Sequence, residues 1–409
     1  MLSTWIYTIC MVLFLLYTIV KKKSPLGIFL VAYYTFIAIL TIVGGKVGAI
    51  ETNRTTLIPY LFLAFAYILF FFPFIQSRKT IDSQKVTVIE ENKYKLFSYG
   101  YILTSTVTSI CYIGPVAKLI ASGNWAIQRD MLYGKYEQEI LYPYSNTFEY
   151  LCMLVTIYFF LLAMIIAFVM IKNKENARLG FILLVTTSLA NVLSSLFTSS
   201  RGNIFNLVLL ILALYVFLMG NAAEKDKRFI VLIGCIGLIG VMPYVVEITF
   251  SRFDTAATSE MIRYFGEAPA VFNFGVATAD KCAWGRYCFS ELLNTNYSQS
   301  DIGASYGARF FTFVGYLFID WGYIGVVIIG IICVALFYSI VIKPKYRISD
   351  LFLIIYYYQT LLKGGLVIGR TYLKGTLVTI VIYLFLRYGI EKMNLTLPKF
   401  RIGRIKLYK

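Results

Sequence analysis

The chain contains no histidine. Catalysis that relies on a histidine as general acid or base, including HxxxD-type acyl transfer, is therefore excluded. Most familiar zinc sites are excluded as well, because they rely on histidine ligands. A general base in this protein must be a carboxylate or, less commonly, a tyrosine or a lysine.

Charge is also scarce, since only 14% of the 409 residues are charged and 59% are hydrophobic. This balance excludes a soluble protein of this length. Apolar runs recur at the length that a helix needs to cross a bilayer core of about 30 Å. The sequence predicts an all-α, polytopic integral membrane protein, with residues 1–409 forming a single transmembrane domain. The eleven predicted spans are about 5–20, 26–45, 57–75, 96–118, 148–171, 179–198, 203–219, 229–248, 312–342, 351–369 and 376–388.

The net charge of +17 is distributed unevenly between the two sides of the predicted topology. With the N-terminus outside, the inner segments carry a net charge of +16 and the rest of the chain carries +1. This asymmetry agrees with the positive-inside rule. Because the basic residues are spread over short loops, we expect no nucleic-acid partner. The N-terminal run precedes its basic cluster and lacks a small-residue cleavage site, so it is predicted to be a membrane helix and not a cleavable signal peptide.

Internal repeats and a separate soluble domain are absent from the sequence, and the seven cysteines show no metal-ligand spacing. We therefore predict no metal site. Cys282 and Cys288 are the only cysteines outside the predicted spans. Their spacing is compatible with a disulfide in an oxidising compartment or with two free thiols.

A polar stretch of residues 249–309, called the polar segment below, interrupts the apolar sequence. We predict that it forms a large outer loop capping an intramembrane cavity. Glu267, in RYFGEAPAVFNFG, is the leading candidate for a general base, and Gly266 and Pro269 are expected to break regular structure around it. A solvated loop acid is the alternative. The arginines of the segment are Arg252, Arg263, Arg286 and Arg309.

Asp320 is the second candidate base. It is the only acid in the apolar stretch RFFTFVGYLFIDWGYIGVV and is followed by Trp321 and Gly322. The alternative is an acid near the start of a helix, where the helix dipole favours negative charge.

Arg201 lies in TSSRGN, between two apolar runs with almost no connecting loop. This position predicts a guanidinium at the outer end of a tight helical hairpin, where Gly202 lets the backbone approach a ligand. A planar fork of donors suits bidentate phosphate binding. The alternative is an arginine that extends to the membrane interface.

Lys363 lies inside the tenth predicted span, and Arg370 and Lys374 follow at spacings that share its helical face if the helix stays regular. Ionisable residues at such depth usually face a cavity and serve function. Extension of the side chain to the interface is again the alternative.

The four tryptophans fall outside the predicted spans or at their outer boundary. An interfacial belt explains Trp5. Trp125 and Trp284 lie well away from the predicted spans, and flat rings with a polar group suit sugar faces. We predict a carbohydrate-binding role for these two, with the interfacial belt as the alternative.

Three short motifs carry a resemblance to a known family. They are SSRG at 199–202, GEAPAVFN at 266–273, and a helix start with Thr312, then DWG at 320–322, then Gly325. Together they resemble bacterial O-antigen and capsule repeat-unit polymerases of the Wzy type over about residues 180–330. The related O-antigen ligases carry a catalytic histidine near the position of Phe311. Its absence favours a polymerase and leaves the ligases' base without a counterpart.

The resemblance implies a GT-C-like, metal-independent glycosyltransferase in the bacterial inner membrane, with its active site facing the periplasm or exterior. It implies no cofactor, a donor and an acceptor that are undecaprenyl-diphosphate-linked oligosaccharides, and a flippase and a chain-length regulator as partners. In this interpretation a carboxylate deprotonates the acceptor hydroxyl. The charge on the leaving diphosphate is stabilised by cations chosen from Arg201, Arg252, Arg263, Arg309, Lys363 and Arg370.

A flippase for the same lipid-linked sugars is the competing function, since it also needs cations in an apolar cavity. Transporters of that kind usually show internal repeats and need no long outer loop. This sequence shows no repeat and has the long polar segment, which favours the enzyme.

Overall fold

In a computed structural model the chain is mainly helical in the part that the structure describes, which comprises residues 1–76, 94–132, 143–174, 176–220, 222–253, 257–279, 281–290, 311–343, 346–365 and 372–391. No strand occurs in these ranges. The helices are α1 Leu2–Val20, α2 Pro25–Lys46, α3 Leu57–Gln76, α4 Lys95–Ser122, α5 Trp125–Leu132, α6 Thr147–Tyr158, α7 Phe160–Asn173, α8 Ala177–Phe197, α9 Arg201–Leu218, α10 Glu224–Phe253, α11 Ala257–Val271, α12 Arg286–Phe289, α13 Phe313–Val341, α14 Ile348–Lys363 and α15 Tyr372–Leu384.

Eight helices in the described ranges are long and apolar enough to cross a membrane. The count becomes nine if α6 and α7, which meet at a 63° bend, form one broken span. The last two predicted spans correspond to α14, with 16 residues, and α15, with 13 residues, which are shorter than full spans. The architecture is that of a multi-pass membrane protein.

Close backbone contacts hold the centre of the bundle together. The middle of α7 is buried on all sides, and Gly180 of α8 lies against the carbonyl of Ala167. Gly27 of α2 lies equally close to the backbone of Ile75 in α3. Small residues at such contacts are the usual means of helix association in membranes, where the hydrophobic effect between helices is weak.

Helix α13 consists of two segments that run in opposite directions along α3. Phe313 packs on Tyr67 and Phe70, whereas Phe318 packs nearer the start of α3, on Phe62. After the break at Gly322, the chain returns along α3, with Tyr323 on Phe62, Gly330 against Leu69 and Tyr338 on Phe72. The first segment (313–321) is therefore a short helix that begins inside the bundle, and the second (323–341) is long enough to span a bilayer core.

The reversal depends on Gly322, whose φ of 60° and ψ of −164° belong to a region open essentially only to glycine. A Cβ at this position would also lie 3.0 Å from the Cys282 sulfur. We expect Gly322→Ala to lower the free energy of unfolding by about 1–3 kcal/mol and to reduce the thermal midpoint of the purified protein in detergent.

Gly237→Ala is the matched control, because a Cβ there meets no atom within 4 Å and alanine is the better helix former. An unchanged midpoint for Gly322→Ala would contradict the role assigned to the break.

The described part of the polar segment is helical and partly buried, and its role as an outer cap over an intramembrane cavity stays a prediction. Its described part forms the end of α10, then α11, a π-helical turn at Phe272–Val276, and α12. Gly266 lies against the backbone of Leu40 in α2, and the Thr41 hydroxyl donates to the Gly266 carbonyl over 2.7 Å. The segment is thus inserted between other helices of the bundle.

The expected break around Glu267 is wrong, because α11 continues through both Gly266 and Pro269. A proline inside a helix removes one main-chain hydrogen bond and crowds the preceding turn. The contact between Thr41 and Gly266 lies in that turn and holds it against α2.

Candidate functional site

A polar cavity of about 570 Å³, called the main cavity below, lies inside the bundle. It lies between α4, α6, α7, α8, α9, α14 and α15, beside the bend between α6 and α7. No described residue of the polar segment lines it. Its polar lining residues are Thr108, Tyr112, Thr156, Tyr158, Asn191, Ser194, Thr198, Asn203, Asn206, Tyr356, Gln359, Lys363 and Thr379.

Lys363 is the only cation among the described lining residues, and none of them is acidic. The lysine is the last residue of α14, and Gly364 and Gly365 follow it. Because the helix ends there, the expected stripe with Arg370 and Lys374 is wrong. Lys374 belongs to α15, and Arg370 lies outside the described residues. The cavity position itself agrees with the sequence-based expectation for Lys363.

Four carboxamides line the main cavity, namely Asn191, Asn203, Asn206 and Gln359, and sequence analysis made no prediction for Asn191 and Asn206. The Asn191 Oδ1 atom is buried and has no hydrogen-bond partner among the described residues. Buried polar groups in native proteins are rarely without a partner, so this atom indicates a polar ligand or water. A sequence signal did exist, because Asn191, Ser194 and Thr198 recur at helical spacing in α8.

Arg201 is the first residue of α9 and follows a tight hairpin after α8. Ser199 holds the hairpin in a left-handed conformation with a φ of 49°, and its hydroxyl donates to the Trp125 carbonyl over 3.1 Å. The hairpin residues Thr198 and Asn203 line the main cavity. The Arg201 guanidinium lies 5.4 Å from the centre of the Tyr264 ring of α11. The arginine is half-buried beside the cavity and not fully exposed at a surface.

A second cavity of about 350 Å³ contains the candidate base. It is lined by Gly45 near the end of α2, by residues 48–53 of the α2–α3 connection, and by Arg263 and Glu267. Residue Glu267 is only 5% exposed, and its Oε2 accepts a hydrogen bond from Arg263 Nε over 3.3 Å. Arg263 Nη1 donates to Glu260 over 2.9 Å. Glu267 is therefore a buried, ion-paired carboxylate, and the solvated alternative is wrong.

Helix α11 contributes lining residues to the second cavity and none to the main cavity, and the two cavities share no described lining residue. It presents Tyr264 to Arg201 and carries Arg263 and Glu267 into the second cavity. Arg201 is thus positioned between the main cavity and the helix that bears the candidate base.

Asp320 lies at the end of the first segment of α13 and lines neither cavity. Its carboxylate is fully buried and accepts hydrogen bonds from the main-chain amides of Tyr287, over 3.0 Å, and Cys288, over 2.8 Å. Its carbonyl accepts the amide of Trp284 over 2.9 Å. With both oxygens occupied, Asp320 anchors α12, and the geometry does not favour its expected role as a base.

Cys282 and Cys288 are both free thiols in the structure. Burial raises the pKa of the Cys288 thiol, and the neighbouring Asp320 acts in the same direction. The thiol therefore stays protonated at neutral pH and is a poor nucleophile for disulfide exchange.

The two tryptophans predicted to bind sugar lie in opposite environments. Trp125 is fully buried among Tyr112, Leu196 and Phe197, so its expected role as a sugar-binding surface is wrong. Trp284 is 75% exposed, and its ring lies 6.5 Å from that of Trp321 in an edge-to-face arrangement.

Three predicted diphosphate ligands stay predictions. Arg309 and Arg370 lie outside the described residues, and Arg252 belongs to the last turn of α10, where its side chain is not among those described. Within the described ranges, no group of three or more His, Cys, Asp or Glu residues is arranged to hold a metal ion.

Comparison with known proteins identified no matching family model, curated protein or solved structure.

Proposed function

We propose that this protein is a membrane glycosyltransferase that polymerises undecaprenyl-diphosphate-linked oligosaccharide repeat units into a surface polysaccharide, O-antigen or capsule, with a GT-C-like arrangement of helices. The observation that carries the proposal is the main cavity, which contains Lys363 among carboxamides and hydroxyls and has no described acidic lining residue. Arg201 lies beside it, on the hairpin that supplies Thr198 and Asn203 to its wall.

The chemistry of this cavity suits a lipid diphosphate that carries sugars. A cation without acidic neighbours attracts a phosphate more strongly in a water-poor site than it would in water. Carboxamides both donate and accept hydrogen bonds, which matches sugar hydroxyls. The guanidinium of Arg201 adds a rigid fork that can bind two phosphate oxygens at once.

The transfer itself requires a base for the acceptor hydroxyl and stabilisation of the leaving diphosphate. In the proposal Glu267 removes the acceptor proton from the side of the second cavity, where Glu51, Thr52 and Asn53 provide further polar contacts. Arg201 and Lys363 stabilise the charge that develops on the diphosphate. Arg263 positions the Glu267 carboxylate through the hydrogen bond from Nε.

The remaining roles follow from the same proposal. Trp284 offers an exposed aromatic face to the sugar chain. The reaction takes place on the outer face of the bacterial cell membrane, uses no cofactor, and is coupled to a flippase and a chain-length regulator.

The decisive experiment compares surface glycan from a deletion strain with that from the wild type. We expect single repeat units to replace long chains. Loss of all surface glycan would instead support a flippase for the lipid-linked sugar. Purified protein with a lipid-diphosphate oligosaccharide should then form polymer without added nucleotide or metal.

Replacement of Lys363 separates a ligand-binding role from a structural one. We expect Lys363→Gln to reduce turnover by about 10- to 100-fold, since a hydrogen bond to a charged group contributes about 1.5–3 kcal/mol. Thermal stability should stay equal or rise, because a buried cation without an opposite charge is costly. The measurements are polymer formation by the purified variant and its thermal midpoint in detergent.

Lys172→Gln, in the last turn of α7, is the matched control, and it should retain full turnover. Normal turnover by Lys363→Gln, or a fall in its thermal midpoint without loss of turnover, would contradict diphosphate binding at Lys363.

A further inference from the structure

The main cavity opens at the surface of the bundle beside the bend between α6 and α7. Ile157 and Tyr158, the last two residues of α6, line the cavity and are nevertheless 53% and 43% exposed. A residue that lines a cavity and is also exposed marks an opening. Helices α6 and α7 together are long and apolar enough to form one broken span, and an opening in the middle of a span faces the bilayer core.

The surface of α6 around this opening has the chemistry of a lipid-facing surface. Phe148, Leu151 and Ile157 are apolar, and each is more than half exposed. Apolar side chains that recur along one exposed surface mark a contact with apolar surroundings. In a multi-pass membrane protein these surroundings are lipid chains, so the opening at the bend connects the main cavity with the interior of the bilayer.

The opposite chemistry is found where the main cavity reaches the hairpin between α8 and α9. Asn203 lines the cavity there and is exposed, and Thr198 of the same hairpin lines it as well. Carboxamide and hydroxyl groups donate and accept hydrogen bonds. At the bend, by contrast, Phe160 and Leu161 contribute apolar lining. The cavity thus has a polar opening and an apolar opening.

Helix α14 shows the same division along one face. Its lining residues are Phe352, Tyr356, Gln359 and Lys363, whose spacing places them on one side of the helix. Over about 16 Å of helix, at about 1.5 Å per residue, the face changes from a phenylalanine ring to an ammonium group. The Tyr356 hydroxyl is hydrogen-bonded to that of Thr376 over 2.8 Å. A ligand that is polar throughout would match only part of this wall, whereas an amphiphile matches both parts.

We propose that the main cavity binds a lipid with an anionic head, with the head at Lys363 and the apolar chain leaving the cavity beside the α6–α7 bend. In this position the chain stays in contact with the bilayer and is never transferred to water, which would be unfavourable. The site requires only a phosphate on an apolar chain. It rests on the proposed function solely for the identity of this lipid as the sugar donor, so that binding can be measured without turnover.

Photo-crosslinking of the full chain in lipid nanodiscs tests this position. The probe is a polyprenyl phosphate with a diazirine in its chain, and labelled residues are mapped by mass spectrometry. We expect several-fold more labelling at Ile157 than at Leu151. Leu151 is the matched control, because it belongs to the same helix and is also 53% exposed but does not line the cavity. Equal labelling of the two residues would mean that only surrounding bilayer lipid is present, and would overturn the proposal.

The Lys363→Gln variant tests the position of the head. Labelling of Ile157 should fall to the level of Leu151, and unchanged labelling would overturn the assignment of the head to Lys363. Phosphatidic acid and diacylglycerol with the same diazirine identify the lipid. Preferential labelling of Ile157 by polyprenyl phosphate alone supports an isoprenoid chain, and labelling by phosphatidic acid as well supports anionic lipids in general. Preferential labelling by diacylglycerol, which has no phosphate, would overturn the proposal.

Polymer formation by the same preparation tests the proposed function separately. Preferential labelling of Ile157 without any polymer would support the lipid site and contradict the glycosyltransferase. Polymer formation with equal labelling of Ile157 and Leu151 would overturn the lipid site alone.

Discussion

Glu267→Gln should lower the rate of polymer formation by about 10²–10⁴-fold, the usual contribution of a positioned base. Glutamine has nearly the same shape and can still accept the hydrogen bond from Arg263, but it does not take up the acceptor proton. Binding of the lipid-linked donor should change little, because the diphosphate is assigned to Arg201 and Lys363. The measurement is single-turnover transfer by purified protein, with donor binding measured separately.

Glu260→Gln is the matched control for this variant. Glu260 accepts from the same arginine over 2.9 Å, yet it does not line the second cavity. We expect it to retain turnover close to that of the wild type. Equal losses in both variants would mean that Arg263 and its ion pairs matter for structure only, and wild-type turnover by Glu267→Gln would show that the base lies elsewhere.

Arg201→Lys should impair activity, and Arg201→Ala should impair it further. If the guanidinium binds two phosphate oxygens, lysine cannot reproduce its paired donors. Loss of one charged hydrogen bond, about 1.5–3 kcal/mol, corresponds to about a 10- to 100-fold loss for the lysine variant. The loss of activity should be larger for the alanine variant. Purified protein with a lipid-diphosphate oligosaccharide provides the measurement.

Arg178→Lys provides the control, since Arg178 lies exposed at the opposite end of the same pair of helices. Protein abundance should remain near normal in both lysine variants, because a lysine can also extend to an interface. Full polymerisation by Arg201→Lys at equal protein levels would make Arg201 a topological anchor and would remove the arginine from the proposed diphosphate site.

The class of the fold follows from the sequence by itself. Runs such as 57–75 and 229–248 are too apolar to lie in water, and main-chain polar groups in a bilayer must form hydrogen bonds within the chain. Helices are the only local solution of that kind. The sequence also determined that Lys363 must face something polar, because a lysine in an apolar run is costly without a cavity or a partner.

The site depended on contacts between residues far apart in the chain, which local patterns do not contain. Gly266 and Pro269 predict a break by local rules, whereas the packing of α11 against α2 and the bond from Thr41 keep the helix intact. That packing buries Glu267. The sequence around Asp320 suggested a general base, but in the fold its carboxylate oxygens accept hydrogen bonds from the main-chain amides of residues 287 and 288.

The reversal of α13 at Gly322 and the burial of Trp125 also depend on contacts between residues far apart in the chain. The apolar run 312–342 has no internal signal strong enough to distinguish one long helix from two opposed segments, since both arrangements bury apolar surface and satisfy the main chain. The contacts with α3 decide between them. The sequence determined that the helices form. The tertiary structure decided which of their polar residues are in contact, because the energy of each contact depends on two residues that lie far apart in the chain.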